Sequence, residues 1–502
     1  MSSWRRSGSL LVAAVLLVGA GGCGLGPGSG GGSADGEAAS EAGRTYGYGP
    51  TRDRSVRYQP DVVLVEGGPD AVRSASADGT TWVLDADAPG ADELEPGRIM
   101  YATSRAVGRV EQVRRTGDDL AVTLSPVTLT EVFRDAHFRS DRTIDDAALA
   151  YQEVPRLPGA VSVPSGTRSP EDAVTPIGLT AGAARSRPTA VPGGAAASPD
   201  GTTVLALDPI RLAPAGAGRL PPARERNFAV TVGDWEAQPY RTPGKLGLKI
   251  GYAANENLKV YIDFAMNVDN LRIRTDVPIS NGRIGGAATF AVDGIRSISV
   301  DVAAGAANGA DDNKKVRVEV PVEINIPIPG EALVYSNTWK FIVTTGLSGR
   351  NTTVKAAGEW AVNGTLGMID GSLQKPTLSV VRSIMDSITG ISVGPSGLAF
   401  AVETKIQFGI GIPAAFAGPY AKLVVDLGVT NGSALGAPLA RCVSASLNAK
   451  VGGGFGVTAS SVAIAELQKL LPTKLKFELE SEKLWPIHRA AQTLPNVPLC
   501  VG

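Results

Sequence analysis

A chain of 502 residues with 43% apolar content can furnish two or three cored domains, although aromatics make up only 5% of it. Lys and Arg number 48 against 49 Asp and Glu, which excludes the basic bias of a nucleic-acid binder and points to no acidic substrate. The two histidines, His137 and His488, lie far apart in sequence, so the commonest proton shuttle and zinc ligand is scarce; neither a cofactor nor a metal is expected.

Trp4, Arg5 and Arg6 precede an unbroken apolar run from Leu10 to Ala20, the charge-then-apolar order of a secretory signal over residues 1–22. The run is shorter than the roughly 20 residues of a stable helical span. It closes on Ala20, Gly21, Gly22 and Cys23, which resembles the lipobox of bacterial lipoproteins, where small residues precede an invariant Cys. The resemblance covers only the first 23 residues. It implies that Cys23 is diacylated, with fatty chains such as palmitate, and becomes the mature N-terminus. The protein would then be exported and held to the bacterial membrane or envelope by its lipid, with its folded domains outside the cytoplasm. The competing reading is an ordinary cleaved signal with Cys23 as a bystander. Three cysteines in an exported chain would leave an odd thiol; assigning Cys23 to a lipid leaves Cys442 and Cys500 to pair as a disulfide in an oxidising compartment.

Residues 23–57 are Gly, Ser, Ala and Glu with almost no aliphatics and read as a flexible tether, reaching roughly 30 Å as a coil. Residues 58–140 carry short strand-like runs: Val62 to Val65, Thr81 to Leu84, Arg98 to Thr103, Val107 to Val113, Leu120 to Leu124 and Val127 to Val132. They suit a small β-barrel or sandwich, with Thr116-Gly117-Asp118-Asp119 as a hairpin turn. Asp85, Asp87 and Gly90 follow the start of an EF-hand count, but Pro89 and Pro96 occupy positions that need oxygen ligands. A solvated acidic turn is the expected form. Residues 141–226 are rich in Pro, Ala and Gly and read as a linker in which Thr203 to Leu207 can make one short strand.

Residues 227–502 predict a large antiparallel β domain, a sandwich or half-open barrel with one or two short amphipathic helices, in a mainly β protein. Val316, Val318, Val320, Val322, Ile324, Ile326 and Ile328 alternate with polar residues and prolines, the pattern of a strand with one dry face. Leu258 to Val268, Ile298 to Val302, Leu398 to Ile412, Leu423 to Val429 and Val443 to Val457 repeat it, and Leu475, Phe477 and Leu479 close the series. Trp339, Phe341 and Val343 are expected to pair, across a Gly-Arg-Asn turn, with Val354 to Val362. A helix is predicted from a Thr377 cap to Thr389, and a second from Ser461 to Leu471. Pro321, Pro327 and Pro329 share one parity, which predicts a free edge on one side of the Val316 strand and favours a water-facing sandwich over a closed membrane barrel.

No catalytic residues are assigned. Ser372-Leu373-Gln374-Lys375 spells the Ser-x-x-Lys of penicillin-recognising enzymes, but Pro376 and the missing Lys-Thr-Gly weigh against it. Gly452-Gly453-Gly454-Phe455-Gly456 lies within a strand pattern and reads as a bend in a crowded sheet. Asn351, Asn363 and Asn431 head glycosylation triplets that chance explains. The function expected is a membrane-anchored, non-catalytic binding or structural module of the cell envelope, its partner an envelope protein or polysaccharide. The alternatives are a carrier of a lipid or other apolar ligand inside the large domain, and a hydrolase using carboxylates alone.

Overall fold

The structure, a computed structural model, describes residues 41–50, 54–76, 79–144, 150–153, 230–232, 235–252, 257–325, 333–392, 394–412, 415–434, 437–459 and 484–501. After helix α1 (Glu41–Tyr46) and strand β1 (Arg57–Tyr58), a six-stranded sheet forms from β2 (Val62–Leu64), β3 (Val72–Ala75), β4 (Thr81–Asp85), β5 (Ile99–Thr103), β6 (Ala106–Thr116) and β7 (Asp119–Ser125), in the order β2-β5-β6-β7-β4-β3. The expected turn joins β6 to β7, with Thr116 opposite Asp119 and Gly117 at φ 62, a value glycine reaches at no steric cost. Trp82 on β4 faces its cross-strand partner Val122, both fully buried.

The run Val127 to Val132 is not a strand. Thr128 opens a helical turn, α2 (Leu129–Val132), through a complete capping box: its backbone N–H donates to the Glu131 carboxylate at 2.7 Å and its hydroxyl accepts from the Glu131 N–H at 3.3 Å. Two orphan donors satisfied locally outweigh the β-propensity of the valines. The chain then enters β8 (Phe133–Thr143).

The remaining strands are β9 (Ala150–Glu153), β10 (Val230–Val232), β11 (Trp235–Thr242), β12 (Lys245–Tyr252), β13 (Leu258–Ser280), β14 (Arg283–Ile284), β15 (Thr289–Ala306), β16 (Lys315–Asn325), β17 (Val334–Leu347), β18 (Thr352–Asn363), β19 (Leu366–Ile369), β20 (Ser372–Gln374), β21 (Thr377–Arg382), β22 (Pro395–Ile412), β23 (Ala415–Ala434), β24 (Ala437–Ala459) and β25 (Trp485–Leu494), followed by the turn α3 (Pro498–Val501). They make two sheets. One runs β10-β11-β12-β13-β15-β18-β21, with β1, β8, β14, β19 and β20 attached; the other runs β25-β24-β23-β22-β17-β16-β9.

Alternation decides which faces meet. β13 buries Leu258, Val260, Ile262, Phe264 and Met266, and the register Ile262 to Val302 and Phe264 to Val300 aligns them with the buried positions of β15. From the other sheet, Trp339, Phe341, Phe400, Val402, Val425 and Leu427 are buried. The two faces close on each other, the Phe264 ring centroid lying 5.7 Å from that of Trp339 and 6.4 Å from that of Phe400. The protein is thus mainly β, and its large antiparallel sheets form a sandwich whose inner faces touch through these side chains. The even positions of β16 sit in register with this core, Val316 with Val343, Val318 with Phe341 and Val320 with Trp339.

The expected tether does not reach residue 57, because α1 begins at Glu41 and the Tyr46 ring is buried 6.2 Å from that of Trp82; four further expectations are corrected. Residues Thr377 to Thr389 are not a helix: β21 pairs with β18, Leu378 opposite Val362 and Val380 opposite Trp360, and only Met385–Ser387 make a single 3-10 turn. An open strand edge beside β-branched residues outcompeted a helical period, leaving Val380 and Val381 exposed. Among the described residues, short helices lie at Glu41–Tyr46, Leu129–Val132 and Pro498–Val501. Second, the turn at 349–351 does not close a hairpin; β17 and β18 belong to different sheets, so the chain crosses from one layer to the other there. Third, β16 is not free along its whole second side, because β9 pairs with it from Val322 to Asn325. Fourth, the boundary at residue 140 falls inside β8, whose residues Ala136–Thr143 pair with Arg272–Ile279 of β13. Arg272 donates from two nitrogens to the Asp141 carboxylate across this ladder, at 2.6 and 2.5 Å. Phe133 and Ala136 belong to the same hydrophobic cluster as Phe264. The strand at Leu475 to Leu479, the helix at Ser461 to Leu471, the Thr203 to Leu207 strand, Pro327 and Pro329 lie outside the described residues.

Candidate functional site

Cys23 lies outside the described residues. Cys442, on β24, is joined by a disulfide to Cys500 in α3, with the Cα atoms 5.5 Å apart. Ser372 and Lys375 do not share a helix: Ser372 begins β20, and the Lys375 ammonium sits 6.0 Å from the Trp485 ring centroid, so no nucleophile and base stand one turn apart. Asp85 pairs with Arg73 at 3.1 Å and accepts the Asp87 N–H at 3.0 Å, and its carboxyl is held below the usual range by that N–H first and by Arg73 second. The acidic turn is self-contained. Among the described residues, no group of three or more His, Cys, Asp and Glu is placed to hold a metal. The glycine run is packing: a Cβ at Gly453 would come within 2.9 Å of Leu373, and one at Gly454 within 3.0 Å of the Tyr420 hydroxyl.

Two polar features emerge from the sheets. The first is on the seven-stranded sheet, on the side away from the core, where Lys422 pairs with Glu403 at 3.0 Å and Lys450 with Asp426 at 3.8 Å. Asp426 is 3% exposed, and burial raises its carboxyl to about 6 against the pull of Lys450. A raised carboxyl keeps its proton longer in the folded than in the unfolded chain. Its contribution is therefore complete below pH 3.8 and is lost as pH rises through about 6. Asp426→Asn should be more stable than the wild type at pH 8, by up to about 3 kcal/mol, with the gap closing near pH 4. Urea unfolding of both proteins at the two pH values measures this; a variant weaker than wild type at pH 8 would refute it.

The second feature is a groove of about 410 Å³, open to solvent, on the outer face of the larger sheet. Three strands build it. Ala303, Gly305 and Ala307 form its floor, on and just beyond β15; Asn257, Lys259 and Tyr261 wall it from the β13 side, and Asn351, Thr353 and Lys355 from the β18 side. Register fixes the rows: Tyr261, Ala303 and Lys355 lie across one line, Lys259, Gly305 and Thr353 across the next. The floor must be small, because a Cβ at Gly305 would already stand 3.3 Å from the Thr353 methyl. With strands about 4.8 Å apart, the two walls rise roughly 10 Å from each other. Tyr261 is 42% exposed and donates its hydroxyl to Asp263 at 3.4 Å. Partial burial first, then Asp263 and Asp301, raise its phenol, which therefore stays a neutral donor at physiological pH. Among the described residues, Lys259 and Lys355 have no carboxylate within ion-pair distance. Sequence reasoning missed this site. Its local signal is the run Ala303-Ala304-Gly305-Ala306-Ala307, but the walls come from segments about 50 residues to either side.

A family model described as Domain of unknown function (DUF8402) matches residues 217–483. A second, described as Domain of unknown function (DUF8403), matches residues 42–135. No curated protein and no solved structure matches the chain.

Proposed function

We propose that this chain, which belongs to the DUF8402 family, is an exported, lipid-anchored protein of the cell envelope that acts as a non-catalytic binding module and offers the groove on its larger sheet to a partner. The observation that carries the reading is the Cys442–Cys500 disulfide, since such bonds persist in oxidising compartments and a paired couple leaves Cys23 as the lone thiol at the end of an export signal. The part of the tether before Glu41 would hold the sheets clear of the membrane surface, since α1 and the buried Tyr46 belong to the folded part.

The carrier alternative draws no support from the interior, where Phe264, Trp339 and Phe400 occupy the space an apolar ligand would need. The hydrolase alternative needs two acids converging in a cleft. Asp263 and Asp301 do lie opposite each other in register, but beyond the Tyr261 row and outside the groove lining.

The test is the mature N-terminus. Mass spectrometry of the membrane fraction should find a chain starting at Cys23 and carrying two ester-linked acyl chains, and Cys23→Ser should release the protein from the membrane. An unacylated start at any other residue would overturn the anchor.

A further inference from the structure

We propose that the groove between β13, β15 and β18 binds an anionic polysaccharide chain, of the kind whose sugars carry carboxylates, an inference that rests on the groove being the binding face. The groove supplies the three contacts such a ligand needs. The exposed Tyr261 ring is a flat apolar platform for the C–H face of a sugar, and its phenol oxygen, which donates its proton to Asp263, can accept a hydrogen bond from a sugar hydroxyl. Asn257 and Asn351, at the opposite end, offer amides that both donate and accept, which suits hydroxyl groups. Lys259 and Lys355 stand diagonally across the floor, one on each wall, with no carboxylate partner among the described residues.

Charge complementarity selects the ligand's sign. Two ammonium groups facing one recess raise the local potential for anions, and a ligand carboxylate set between them would meet a cation from either side. Asp263 and Asp301, one row beyond Tyr261, bar anionic groups from that end. The charged part of the ligand is thereby placed over Ala303 and Gly305. The open, straight floor follows the strand direction and admits a polymer passing through, where a closed pocket would demand a chain end. A flat lipid surface could reach the lysine tips but not the floor between walls roughly 10 Å apart.

The test is calorimetry on the Cys23→Ser protein, which lacks the anchor and needs no detergent, at low salt. The probes are polygalacturonate, its fully methyl-esterified form, which keeps the backbone and removes the charge, and phosphatidylglycerol vesicles. Polygalacturonate should bind, and raising the salt to 0.5 M should weaken it. Lys259→Ala and Lys355→Ala should each weaken it about fivefold to tenfold. Lys259→Glu with Lys355→Glu should abolish binding without altering the unfolding temperature, both side chains being exposed. Tyr261→Ala should weaken binding to any sugar. Equal binding of the methyl ester, lost in Tyr261→Ala, would overturn the anionic ligand while leaving the groove as the binding face. Binding to vesicles alone would overturn the polysaccharide in favour of a membrane surface. Binding to none of the three probes would overturn both the ligand and the groove as its face.

Discussion

Phe264→Ala is expected to destabilise the protein by about 4 kcal/mol, within the 3–5 kcal/mol range for truncating a buried aromatic. Phe264 is fully buried, lies between Leu248 and Val300 within its own sheet, and touches Trp339 and Phe400 of the other. Removing the ring leaves a cavity bordered by both layers, which neither sheet can close alone because each is fixed by its ladder. Lys259→Ala, five residues earlier on the same strand and on the outer face, is the control, and a change within about 0.5 kcal/mol is expected there. Guanidinium unfolding monitored by tryptophan fluorescence measures both. A Phe264→Ala loss below 1 kcal/mol would mean that the two faces do not share a core.

The second large effect is expected at the disulfide. Cys442 and Cys500 are 58 residues apart, and closing a loop of that length restricts the unfolded chain by roughly 4 kcal/mol on the loop-entropy model. Cys442→Ser with Cys500→Ser should lose 2–4 kcal/mol, about the usual range for a native bridge. The loss should be local first. β25 is the terminal strand of its sheet, paired only with β24 among the described residues, and the bridge sits one residue from the Val443–Leu494 end of that ladder. Hydrogen exchange should therefore show residues Trp485–Leu494 losing protection before β13 and β22 do. Two reactive thiols on the denatured, unreduced wild-type protein would contradict the premise.

What could be read from the sequence was what depends on one segment at a time. The alternation of β13, β17, β22 and β23 identified the residues that fill the core, because burying one face of a strand is a local pattern with long-range consequences. The Thr116-Gly117-Asp118-Asp119 turn was legible for the same reason. Misread segments had two competing local signals. Leu378, Val381, Ile384 and Met385 fit a helical stripe, and only the availability of the β18 edge made β21 a strand. Val127 to Val132 looked extended, but Thr128 and Glu131 spelled a capping box that takes precedence. What could not be read depended on register between distant strands: the insertion of β8 beside β13, the crossing from β17 to β18, and the groove. Lys259, Gly305 and Thr353 become neighbours only once three strands are aligned, and no single stretch of the chain carries that information.

The long alternating strands of the two sheets bury their apolar faces against each other inside the protein, with no lipid needed to cover them. The direct measurement is the solution state of residues 24–502, exported to an oxidising compartment and purified without detergent. The fragment must begin before β8 and β9, because those strands pair with β13 and β16 of the large sheets. Light scattering across a size-exclusion peak is expected to show a monodisperse protein in plain buffer. A chain that stays aggregated until detergent is added, and then migrates as a heat-modifiable barrel, would show that the apolar faces meet lipid and would contradict the account.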